Sequence, residues 1–154
     1  MHAQVDEESV IHANAQFWEQ MLSMRLEHLP GCDEFCVAAG HLLASVNLSG
    51  VWTGRIEVRL AEGLAYTATA AMLMQPLDSV LESDTLDATK EIANMIAGSI
   101  KSSLPRPCAM TVPESSVELH GFCGRLRTQD TLAVAFRHQA GDLLVCIWER
   151  SSVQ

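Results

Sequence analysis

The segment 85–104 constrains the fold most, because its residues divide between two faces with almost no mixing. At roughly 100° per residue, Ala88, Ile92, Ala93, Met95, Ile96, Ala97, Ile100 and Leu104 fall on one side. Thr89, Ser99 and Ser103 are the hydroxyls among them. Asp87, Lys90, Glu91, Asn94, Gly98, Lys101 and Ser102 gather on the other side. The partition predicts a helix that lays an isoleucine ridge on a core and turns a polar face outward. Asp84 is the predicted cap, and Asp87 puts a carboxylate in the first turn, where the helix dipole favours negative charge. Pro105 stops the helix and Pro107 discourages its resumption. Burial of Ile92, Ile96 and Ile100 should contribute about 1.5–3 kcal/mol per side chain.

The flanking sequence predicts a mixed fold. Residues 6–29 read as another helix, with Val10, Ala13, Phe17, Met21 and Met24 on one apolar stripe and Ile11, Trp18 and Leu22 on a second, ended by Pro30-Gly31. Phe35–Ala39, His41–Leu48 and Arg55–Leu60 read as strands. The last two are joined by a tight hairpin, Gly50-Val-Trp-Thr-Gly54, with Trp52 folded back over it. Leu64–Met74 favours a short helix with Leu64, Ala68, Ala71 and Met72 inward, while Tyr66, Thr67 and Thr69 leave a strand open. Cys108–Val112 reads as a strand, Pro113-Glu-Ser-Ser as a loop, and a further segment lies near Val117–Phe122. A closing hairpin joins Thr131–His138 to Asp142–Glu149 through Ala140-Gly141.

Composition limits the partners. The chain has 154 residues, of which 48% are hydrophobic. That predicts one domain spanning 1–154, which should bury roughly 68–70% of the surface its unfolded chain exposes. A formal charge of −9, with ten Lys and Arg scattered along the chain, argues against a nucleic-acid surface and against anionic membranes. No uncharged apolar run reaches the length of a membrane span.

Cys32, Cys36, Cys108, Cys123 and Cys146 form no CxxC pair, and no secretory signal precedes them. The expectation is a cytoplasmic protein with reduced, buried thiols. Cys32 and Cys36 with His28 and His41 match no compact zinc module, so no metal site is expected. GxSxG, HExxH, P-loop and Rossmann motifs are absent, and the six histidines are dispersed.

The outward helix face is where chemistry concentrates. Glu91 and Asn94 are spaced i, i+3 and stand side by side, with Gly98 one turn beyond Asn94. Glycine costs a helix about 1 kcal/mol relative to alanine, so its position points to close approach by another molecule. The stretch Glu91-Ile-Ala-Asn94-Met-Ile-Ala-Gly98-Ser-Ile-Lys101 resembles the signature helix of the CheX/CheC/FliY chemotaxis phosphatases, and CheX in particular. One E-x-x-N motif occurs here, as in CheX, whereas CheC and FliY relatives usually carry two. The order of the other elements is similar over most of the chain.

The resemblance implies an α+β, CheC-like two-layer fold, with a largely antiparallel sheet packed against long helices, and a homodimer. It implies a hydrolase that removes phosphate from the aspartate of a CheY-like receiver domain. Glu91 and Asn94 would be the catalytic pair, with Gly98 and Lys101 facing the partner. It requires no cofactor of its own, because the receiver holds the Mg²⁺. A receiver-binding adaptor without turnover remains the alternative reading.

Overall fold

The computed structural model describes residues 5–30, 34–125 and 130–150. The chain begins with α1 (Glu7–Ala15), which Asp6 caps by accepting a hydrogen bond from Ser9 N–H at 2.8 Å. Hydrogen bonding from Ser9, its hydroxyl first and then its backbone N–H, holds the Asp6 carboxyl below its ordinary value. The remaining elements are the strands β1 (Glu27–His28), β2 (Glu34–Val37), β3 (Leu42–Gly50) and β4 (Gly54–Leu60), then α2 (Glu62–Leu73) and α3 (Glu82–Lys101). They are followed by β5 (Cys108–Met110), β6 (Glu114–Val117), β7 (Phe122–Arg125), β8 (Thr131–His138) and β9 (Gly141–Glu149).

Seven strands form one antiparallel sheet in the order β1-β8-β9-β4-β3-β5, with β6 also pairing with β3. Strands β2 and β7 pair separately as a two-stranded ribbon. Alternation along the central strands sends Leu42, Ala44, Val46, Ile56, Val58, Val145 and Ile147 to one face, where the three helices cover them. The opposite face carries Ala133, Ala135, Leu144 and Cys146, and the ribbon packs Phe35, Val37 and Phe122 onto it. This is the expected α+β arrangement, with helices packed on a largely antiparallel sheet.

The long helix matches its sequence pattern closely. Ile92, Ile96 and Ile100 are each at most 1% exposed. Its start lies earlier than Asp84, which instead accepts the Leu81 N–H at 3.0 Å from within the first turn. Ser102–Leu104 form a closing turn before Pro105. Ser103 is exposed rather than on the inner side.

Four expectations need correction. The N-terminal helix does not reach Leu29. After Ala15 the chain widens into a π-helix over Gln16–Met21, and Ser23 adopts φ 53°. The wider turn lets the adjacent Phe17 and Trp18 both face the core, with rings 5.2 Å apart at 87°, and it leaves Met21 59% exposed. Residues 27–28 then pair with β8 as a strand. In α2, Ala65 and Thr69 are buried and Ala71 is exposed. The Pro113-Glu-Ser-Ser loop is instead largely β6: Glu114 to Val117 pair with Ser45 to Leu42, and Ser115 Oγ donates to Leu86 O at 2.9 Å.

The last correction concerns the thiols. Cys36 and Cys123 face each other across the ribbon and form a disulfide between exposed positions. Cys108 and Cys146 are free, and Cys32 lies outside the described residues. Burial, reinforced by the nearby Glu57 carboxylate, pushes the Cys146 thiol up to about 12.

Candidate functional site

Helix α3 holds the candidate site because its inner ridge fixes which side chains face away from the sheet. Glu91 is exposed and Asn94 is half-buried between the ridge and solvent. Their spacing puts the Cβ atoms about 5–6 Å apart on one face. Among the described residues, no hydrogen bond or ion pair engages the Glu91 carboxylate or the Asn94 amide. Several other polar groups on or beside this helix are occupied. Lys90 pairs with Asp87 at 3.7 Å, Thr89 Oγ1 donates to Thr85 O, and Ser102 Oγ donates to Ser99 O.

Gly98 lies one turn beyond Asn94. A Cβ placed on it would meet no atom within 4 Å, so the chain's own packing does not require glycine there. A shallow pocket of about 530 Å³ opens beside it, lined by Gly98, Lys101, Ser102, Arg106, Pro107 and Cys108. The structure therefore places the four expected site residues, Glu91, Asn94, Gly98 and Lys101, along nearly three turns of one helix face.

Arg106 is the member of this surface that the helical pattern did not reveal. It follows the end of α3 and lies between Pro105 and Pro107, outside any periodic segment. A neighbouring contact fixes its location: Val51 N–H donates to Pro107 O at 3.0 Å, and Gly50, at φ 141°, leaves room for that carbonyl. The hairpin tip thus pins the segment after α3 beside the helix end. Trp52 is 3% exposed and folds over Gly54, as expected.

Chemically, the face offers a neutral amide that can both donate and accept, a free carboxylate beside it, and cations further along. Among the described residues, no histidine or carboxylate is hydrogen-bonded to the Ser99 or Ser102 hydroxyl or to the Cys108 thiol. Among the described residues, no three His, Cys, Asp or Glu side chains gather as metal ligands. No helix among them is long and apolar enough to cross a membrane.

Comparisons with known proteins point one way. Residues 42–117 match the family model described as chemotaxis phosphatase CheX. The chemotaxis protein CheX from Vibrio vulnificus is 18% identical, with a TM-score of 0.76 over 97% of this chain and 99% of that one. CheX from Desulfovibrio desulfuricans is 23% identical, with a TM-score of 0.71 over 93% and 97% of the two chains. A CheX–CheY–BeF₃–Mg²⁺ complex from Borrelia burgdorferi gives 17% identity and a TM-score of 0.70, covering 96% of this chain and 100% of that one. No curated protein matches the chain by sequence.

Proposed function

We propose, from the premise that this chain is CheX-like, that it is a single-domain phosphatase acting on the aspartyl phosphate of a CheY-like receiver. One observation carries the proposal: Glu91 and Asn94 stand together on the outward face of α3, with no partner among the described residues and open space at Gly98. A pair so placed is available to enter another protein's pocket. The match to a family of chemotaxis phosphatases, and the likeness to a CheX solved with CheY, support that direction. The reading carries a homodimer with it.

An aspartyl phosphate makes modest demands on such a partner. In this reading the receiver supplies its own Mg²⁺ and lysine, which neutralise charge on the phosphoryl group. What this chain adds is a water held in line with the scissile P–O bond. The Asn94 oxygen accepts a hydrogen bond from that water, while the amide's neutrality avoids repelling the phosphoryl oxygens. An aspartate at the same place would bring a second anion. Glu91, one turn back, pairs with a receiver cation and so sets the angle at which Asn94 enters. Orientation of this kind is worth several kcal/mol, with about 7–11 as an upper range.

The test is phosphate release from a panel of phosphorylated receivers. Asn94→Ala should bind the cognate receiver about as well as the parent and release phosphate at least tenfold more slowly, where tenfold corresponds to ~1.4 kcal/mol. Equal release rates would remove Asn94 from catalysis and leave the adaptor reading.

A further inference from the structure

The charge balance of the surface beside Gly98 is unlike that of the rest of the molecule. The chain is strongly acidic, with a net charge of −9, and five of its ten Lys and Arg lie in ion pairs with its own carboxylates. Arg25, Arg55, Arg59, Lys90 and Arg137 each lie in an ion pair. Among the described residues, Lys101, Arg106 and Arg150 lie in none. Two of these three line the same pocket, next to the glycine whose missing side chain leaves the approach open. A lysine in the last turn is favourable to the helix dipole and would need no other reason. Arg106 is outside the helix and exposed, so that reason does not extend to it.

We infer that the pocket formed by Gly98, Lys101, Arg106 and Pro107 receives an acidic side chain from the surface of the receiver. The inference rests on the proposed function and goes beyond it by assigning Arg106 and the chemistry of its contact. Arg106 offers a planar fork that matches a carboxylate with two hydrogen bonds, and Lys101 adds a compact charge. Pro107 is held against the hairpin tip, which limits how far Arg106 can drift. The pocket begins one turn beyond Asn94, so a carboxylate seated there would fix the rotation of the receiver about α3. Complementary charge of this kind selects partners and speeds encounter, and it weakens as salt screens it.

The experiment measures binding to the receiver carrying BeF₃⁻ in place of phosphate, which separates affinity from turnover. Arg106→Glu should weaken binding at least tenfold at low salt and flatten its salt dependence. Turnover at saturating phosphorylated receiver should fall less than twofold. Arg106→Ala should show a smaller loss in the same direction, with an unchanged melting temperature. Arg25→Glu is the control: it makes the same charge change near β1, at the sheet edge opposite β5, and should leave affinity within about twofold. Unchanged affinity and salt dependence in Arg106→Glu would overturn the inference. Equal losses in Arg106→Glu and Arg25→Glu would overturn it too, by showing only a net-charge effect. The proposed hydrolysis is judged separately by Asn94→Ala, so either idea can fail while the other stands.

Discussion

Two polar surfaces of this molecule differ in what their side chains are doing. On the face of the sheet away from the helices, Arg59 is about one-tenth exposed and fully engaged by neighbours, apart from an unpartnered Nε. Its Nη1 donates to His41 Nε2 at 2.9 Å, and its guanidinium lies 3.9 Å above the Phe122 ring. The Glu57 and Glu118 carboxylates approach it at 3.9 and 3.8 Å. His41 Nδ1–H in turn donates to Ala38 O at 2.8 Å, which sets the tautomer that accepts from Arg59. Trp148 Nε1 donates to the other side of the network, at Glu57 Oε1. On the outer face of α3 and just beyond its end, by contrast, Glu91, Asn94, Lys101 and Arg106 have no such partners among the described residues. Polar groups that satisfy one another hold the ribbon to the sheet; polar groups left unsatisfied at the surface are free to meet another molecule.

The contrast can be broken by mutation. Arg59→Ala leaves Glu118 and His41 without this partner and Glu57 with Arg55 alone, and should destabilise the fold by about 3–5 kcal/mol. Denaturant unfolding measures this; a loss below ~1 kcal/mol would show that the network is dispensable. Opening Cys36–Cys123 with reductant should cost roughly 2–4 kcal/mol, since the bond closes a long loop in the unfolded chain. Its effect should appear in the melting temperature, with phosphate release per folded molecule unchanged. Gly98→Leu should give the smallest shift in stability and of opposite sign, a gain of up to about 1 kcal/mol from better helix propensity, while blocking receiver docking. A variant that is more stable and docks normally would end the idea that Gly98 provides clearance.

How much was legible in sequence follows from the same division. Helix α3 could be read because one face pays for its burial with isoleucine and alanine while the other carries none, so the 3.6-residue period is unmixed. The hairpins at Gly50–Gly54 and Ala140-Gly141 were marked by glycine at the turns. The N-terminal helix was overextended because its period breaks inside the apolar stripe. A π-turn at Gln16–Met21 moves Trp18 inward without any Gly or Pro to signal it. Strand β6 was hidden by its polar composition: Glu114, Ser115 and Ser116 gain their extended state from pairing with β3, a partner far away in sequence. The disulfide was missed for a similar reason, since Cys36 and Cys123 are brought together only by the ribbon pairing across a separation of 87 residues. The outward placement of Glu91 and Asn94 followed from the wheel, whereas Arg106 belongs to a tertiary surface that no local period describes.

The strand order has a consequence for how the molecule is made. Strand β9 sits between β8 and β4, in the middle of the sheet, yet it follows every other described strand along the chain. Until it emerges from the ribosome, β4 shows an open backbone edge and the layer beneath the helices is split. The platform behind α3 is therefore completed only when β9 inserts, and the helix gains its rigid backing after every other described strand has been made.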